Sequence, residues 1–146
     1  MNGPDSTLSI WNAETEELLR VINGIDKNIL NAASFNNDGS LIAFCNWSKL
    51  VKVYETKTGK LYKELIGSNG GSAKILFSPD GESVALISTE NAIVLWNINT
   101  GNLFAKMQVE SRPFSLKFSN SGKLIAAGEA NGKITIWNST TYEKNI

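Results

Sequence analysis

Few side chains in this sequence could do chemistry. Histidine is absent, a single cysteine stands at position 45, and the aspartates are Asp5, Asp26, Asp38 and Asp80. Histidine-based catalysis, intrachain disulfides and the common zinc sites therefore cannot be assembled from this chain. Cys45 lies in the apolar run Ala43-Phe44-Cys45, with no positive neighbour before Lys49. That setting favours a buried, neutral thiol over a reactive thiolate. Asp38 and Asp80 fall inside turn sequences, which accounts for them without catalysis. The stretch Gly67-Ser68-Asn69-Gly70-Gly71-Ser72 has the glycines of a phosphate-binding loop. It lacks the Lys-Ser/Thr ending and a following helix, so it reads as a connecting loop. Asn46-Trp47-Ser48 and Asn138-Ser139-Thr140 match the glycosylation sequon and are expected to stay unmodified, since no secretory signal is recognisable.

Charge excludes further classes. Fourteen basic residues balance fourteen acidic ones, so no net field draws in nucleic acid or an anionic membrane. Lys49, Lys52, Lys57, Lys60 and Lys63, interleaved with Tyr54 and Tyr62, could form a nucleic-acid face. Protection of an outer edge strand explains them better, and Glu55 and Glu64 dilute the cluster. No segment approaches the roughly 20 apolar residues of a membrane span. The expectations are a non-enzyme without cofactor, metal or small-molecule substrate, in a reducing, cytoplasmic compartment, or the nucleus of a eukaryote.

What remains is architecture, and it is repetitive. Aromatic residues close β-branched runs at Trp11, Tyr54, Trp96 and Trp137, spaced 43, 42 and 41 residues apart. Phe35, Phe77 and Phe118 each precede a turn (FNNDG, FSPDG, FSNSG), and their spacings of 42 and 41 follow the same period. Within a period, short runs of Val, Ile, Leu and Phe are punctuated by Gly, Asn, Asp and Ser, which predicts strands and no helix. Strands are placed at 29–35, 41–45, 50–54 and 60–66, and again at 72–77, 83–88, 92–96 and 102–109. Several of them, such as LIAFC and SVALIS, are apolar on both faces, so each sheet needs covering on two sides. Four-stranded sheets stacked radially meet that need at a period of roughly 40 to 45 residues, which is a β-propeller.

The F-S-P-D-G turn at residues 77–81, the strand-ending Trp-Asn at Trp96 and Trp137, and the Thr-Gly turns at 58 and 100 resemble the WD-repeat family. The resemblance covers the chain from about residue 7. It implies an all-β WD-repeat-like propeller segment of about three and a half four-stranded antiparallel blades. They divide into a partial blade at 7–22 and blades at 29–66, 72–109 and 113–146. The family's Gly-His dipeptide is missing, and its Asp six residues before the Trp is replaced by Ser48, Glu90 and Asn131. The family's buried His/Ser/Asp/Trp network is therefore expected to be absent, with apolar packing in its place.

Fewer than four blades leave an open structure. The expected causes are a piece of a longer propeller, closure by self-association, or an open array. Unpaired strand edges would make an isolated monomer poorly behaved.

Function then belongs to loops held on a stiff scaffold. Loops 24–28, 46–49, 67–72, 88–91, 109–113 and 128–132 should share one rim. The candidate protein-binding residues there are Trp47, Lys49, Asn69, Glu90, Glu110, Arg112 and Glu129. Trp47 lies outside the repeated aromatic positions and could serve as an interface anchor or pack on a neighbouring blade. Arg112 stands at the entry to an innermost strand, a position that in WD-repeat proteins looks partner-contacting; Glu90, Glu110 and Glu129 surround it in the repeat map, as a binding site or a salt-bridged rim. The expected function is a non-catalytic scaffold binding proteins or peptides. The alternative is a sensory or regulatory propeller portion of a larger multidomain protein whose catalytic domain lies elsewhere.

Overall fold

The computed structural model describes residues 6–25, 30–46, 50–66 and 74–146, and among them the chain forms thirteen strands and no helix. β1 (Ser6–Trp11) pairs antiparallel with β2 (Leu18–Ile25), which runs on past the expected end at residue 22. β3 (Leu30–Phe35), β4 (Leu41–Asn46), β5 (Val51–Glu55) and β6 (Leu61–Leu65) form a four-stranded antiparallel sheet in chain order. β7 (Ile75–Phe77), β8 (Ser83–Ser88), β9 (Ala92–Asn97) and β10 (Leu103–Gln108) repeat it. β11 (Pro113–Phe118), β12 (Leu124–Glu129) and β13 (Ile134–Asn138) form the last sheet. Residues 143–146 run beside β13, where the Ile136 amide donates to the Ile146 carbonyl (3.0 Å) and the Asn145 amide to the Ile136 carbonyl (2.8 Å).

Local chemistry sets the hairpins. After each inner strand the chain turns on a glycine: the Gly39, Gly81 and Gly122 amides donate back to the carbonyls of Asn36 (3.1 Å), Ser78 (2.9 Å) and Ser119 (2.9 Å). All three glycines have φ between 72° and 76°, which a side chain would resist. The aspartates serve these turns, as Asp38 accepts from the Ser40 amide and Asp80 from the Glu82 amide, each at 2.9 Å. A second device follows the tryptophans. Asn12, Asn97 and Asn138 each accept two downstream amides on the side-chain oxygen, closing the same turn three times.

Packing makes the sheets into blades. β3 lies beside β7, and β7 beside β11, so the first strands of successive sheets line the inside of the stack. Three apolar clusters fill the three gaps between sheets. Ile10, Ile22 and Ile25 of the first sheet meet Ile42, Phe44 and Tyr54 of the second, with Phe44 and Tyr54 stacked at 5.3 Å. Ala43, Val51, Val53 and Leu65 on the other side of the second sheet meet Phe77, Leu86 and Trp96 of the third. Ala85, Ile93, Leu95 and Met107 meet Leu116, Ile125 and Trp137 of the fourth. Each sheet thus presents a forward face, toward the next sheet, and a rear face that carries its Trp or Tyr.

Trp96 is fully buried, and its indole N–H donates to the Ile66 carbonyl beyond β6 at 3.0 Å, tying one blade to the preceding one. Replacing Trp96 with alanine removes a large side chain from the second gap. The expected loss is about 3–5 kcal/mol, read as a lower denaturant midpoint. Asn97→Ala, which removes only a turn, should lose about 1 kcal/mol. Equal losses for the two variants would contradict the assignment of Trp96 to the inter-sheet core.

Candidate functional site

The rim that collects the candidate residues is built from hairpin ends and blade-to-blade connections. The Val109 amide donates to the Asn91 carbonyl and the Ala130 amide to the Arg112 carbonyl, both at 2.9 Å. Loops 88–91, 109–113 and 128–132 therefore meet, as expected from the repeat map. Trp47, Lys49 and Asn69 lie outside the described residues.

The four remaining candidates have separate roles. Glu129 is 6% exposed, so its carboxylate does not lie open at the rim as the repeat map suggested. One oxygen accepts from the Thr135 hydroxyl (2.6 Å), and the other from the amides of Glu110 (3.0 Å) and Ser111 (2.9 Å). A buried carboxylate with three donors locks the loop leading into β11 onto the β12–β13 hairpin. The family's buried network is thus replaced in this repeat by a different polar one, rather than by apolar packing alone. The Thr135 bond is the largest cause holding the Glu129 carboxyl below its ordinary value, aided by the Ser111 and Glu110 amides and by Lys133, while burial opposes it.

Glu110 pairs with Lys133, its Oε1 also lying 3.8 Å from Lys144, and Glu90 pairs with Lys106. The Lys133 hydrogen bond, with Lys133 and Lys144 charge nearby, holds the Glu110 carboxyl low, and the same contact holds the Lys133 ammonium high. These pairs are exposed and contribute little to stability. Arg112 differs. Its guanidinium sits 5.5 Å from the centre of the Phe114 ring, and among the described residues no carboxylate lies within 4.0 Å of it. Phe114 is 58% exposed. Beside them is a notch of about 260 Å³ lined by Ile87, Ser88, Thr89, Asn91, Arg112, Pro113 and Phe114.

Phe114, Thr135 and Lys133 were not singled out from the sequence, although a signal existed. Aligned by the Phe and Trp markers, Phe114 falls where the other repeats carry Asn31 and Ala73. Glu129 and Thr135 fall where the third repeat has Ser88 and Val94. Paired departures confined to one repeat mark a local interaction.

Away from the rim, Cys45 is buried with its Sγ 4.0 Å from the Ala32 carbonyl, and Lys52 stands 3.8 Å from Glu64 across the β5–β6 pair.

Comparison with known proteins places the last sheet in a family. Residues 108–138, which hold β11 to β13 and the Glu129 network, match the family model for the WD domain, G-beta repeat. The fourfold internal repeat and the stacked blades agree, and the chain is a WD-repeat protein. It is similar to Autophagy-related protein 16 of Arabidopsis thaliana, 24% identical over 138 residues, covering 91% of this chain and 27% of that protein. It is also similar to the Small ribosomal subunit protein RACK1 of Neurospora crassa, 27% identical over 99 residues, covering 68% of this chain and 31% of that protein. A third relative is MST50-interacting protein 11 of Pyricularia oryzae, 28% identical over 99 residues, with 68% and 31% covered. The chain spans less than a third of the length of each.

The pH behaviour of Glu129 can be tested. A carboxyl whose value is lowered by folding stabilises the fold above the ordinary glutamate value, near 4.5, and that contribution is lost as pH falls through the folded value. Glu129→Gln should lower stability at pH 7 by about 1–3 kcal/mol, because an amide cannot satisfy the same three donors. Its Tm should fall less than that of the wild type between pH 7 and pH 3. An equal fall in both proteins would remove Glu129 from the account of acid sensitivity.

Proposed function

We propose that this chain is a non-catalytic scaffold that binds other proteins through its rim, with Arg112 and Phe114 as the contact pair. The single observation that carries the reading is a guanidinium resting on an exposed aromatic ring beside an apolar notch, with no carboxylate of a described residue to neutralise it. Arginine and aromatic side chains dominate interface energetics. A partner segment bearing a carboxylate next to an apolar side chain satisfies both, placing the acid on Arg112 and the apolar group against Phe114 and Ile87. The Glu129 bonds hold the loop ahead of Arg112 before any partner arrives, so little freedom is lost on docking. The name of one relative, MST50-interacting protein 11, supports a role in protein interaction.

The experiment is a display screen of acidic-apolar peptides on the immobilised chain. Arg112→Glu and Phe114→Ala should each weaken captured peptides at least tenfold, with far-UV circular dichroism unchanged. Lys106→Ala, which removes a paired rim charge, should leave them within about twofold, as exposed ion pairs contribute little. Peptides that bind all three variants equally would defeat the assignment.

A second reading is that the chain is a regulatory propeller portion of a larger protein, favoured by the share of its relatives' length that it spans. Immunoblotting of the native source with an antibody raised against these residues separates the two. A band well above 15.9 kDa supports the second reading, and a band at that mass removes it.

A further inference from the structure

At the ends of the sheets opposite the Arg112 rim, the second and third gaps close differently. β8 runs from Ser83 at that end to Ser88 beside the rim notch. In the second gap the Tyr62 hydroxyl of β6 donates across to the Asn99 side-chain oxygen at 3.3 Å. In the third gap the corresponding residues are Phe104 and Thr140. Leu103, before Phe104, pairs with Trp96 as Leu61 does with Tyr54, and the Thr140 amide bonds to a turn asparagine as the Asn99 amide does. Phenylalanine has no hydroxyl, so the same bridge cannot form. A groove of about 720 Å³ lies between the third and fourth sheets there.

Tyr142 forms part of its wall. It holds the place of Gly101: the Gly101 amide donates to the Asn97 carbonyl and the Tyr142 amide to the Asn138 carbonyl. Its φ is 58°, against 76° for the glycine. A bulky residue in the left-handed region is strained, so closing the turn does not account for the tyrosine. The third sheet makes room for it. A Cβ at Gly101 would meet the Lys63 chain at 3.2 Å, whereas the residue aligned with Lys63 in the next sheet is Ala105. The Tyr142 ring leans on Phe104, with centroids 5.6 Å apart and planes at 53°, and both residues line the groove. Phe104 is 40% exposed.

Charge completes the lining. Asp80, Glu82 and Lys123 border the same groove, two acids against one base, and among the described residues no ion pair within 4.0 Å neutralises them. Asn102, Ser121 and Thr140 add amide and hydroxyl groups that can bond a peptide backbone. The volume falls within the roughly 300–1,000 Å³ of ligand sites, which hold more than one side chain. A planar cation that stacks on an aromatic face and forks to a carboxylate meets both parts of this lining, and that is a guanidinium.

We propose that the groove between the third and fourth sheets binds an extended protein segment through an arginine, its guanidinium against Phe104 and Tyr142 and directed at Glu82 and Asp80. Both walls belong to sheets of this chain. The site is separate from the Arg112 rim, which takes the opposite charge.

Nitrogen-15 NMR of the whole chain follows titration with a blocked pentapeptide, arginine between paired alanines, and with the same peptide carrying citrulline, the uncharged isostere. At millimolar concentration the arginine peptide alone should shift the amides of Phe104, Lys123 and Tyr142. Glu82→Gln and Tyr142→Gly should each weaken binding about three- to fivefold. Lys106→Ala, outside the groove, should leave it unchanged. Glycine closes the equivalent turn at 101, so circular dichroism of Tyr142→Gly should match the wild type; if that variant unfolds, Glu82→Gln, at an exposed position, carries the comparison. The proposal is overturned if the arginine peptide shifts nothing in the groove, if the citrulline peptide binds equally, or if folded variants bind as the wild type does. Acetyl-arginine amide binding as tightly as the peptide also overturns it, since that would mean a site for a free cation rather than a segment.

Discussion

Everything in this molecule depends on sheets that are apolar on both sides and must be covered twice. Ala85 and Val84 are neighbours on β8 and point in opposite directions, yet both are fully buried, one in each gap. A single sheet could bury only one of them. Stacking buries both, and the hydrophobic gain in each gap outweighs the ordering of a hairpin on its own, which is marginal in water. The hydrogen bond from Trp96 to Ile66 adds direction to an otherwise undirected attraction.

Once stacking is required, the edges of the sheets become available for other tasks. Hairpin ends and connections gather at the rims, where packing no longer dictates residue type. This is where the fourth repeat departs from the others, placing a buried carboxylate beneath a loop and an arginine upon a ring. The two features are coupled through the backbone, since the Ala130 amide, next to Glu129, donates to the Arg112 carbonyl. Rigidity below and exposure above are what the proposed contact pair requires.

The repeated part of the fold was legible in the sequence because its signals are local and occur several times. The spacing of Trp11, Tyr54, Trp96 and Trp137 fixes the period, and the turns after Phe35, Phe77 and Phe118 fix the hairpins within it. The rim was less legible for a physical reason. Whether Glu129 meets solvent or three donors depends on Thr135, six residues away across a hairpin, and on two amides nearly twenty residues back. Strand alternation alone cannot distinguish these outcomes. Phe114 escaped notice because an apolar residue in an inner strand looks like core until the neighbouring sheet is seen to leave it uncovered.

The turn asparagines point to how such a chain can change over time. Among the described residues each repeat brings its own turn, and each of the three apolar clusters joins one sheet to its neighbour. Gene duplication or loss of one whole unit would therefore leave every surviving junction chemically unchanged, whereas gain or loss of half a unit would leave two unlike surfaces opposed. Lineages built this way are free to lengthen or shorten in whole steps, and the rim of each new unit is free to diverge.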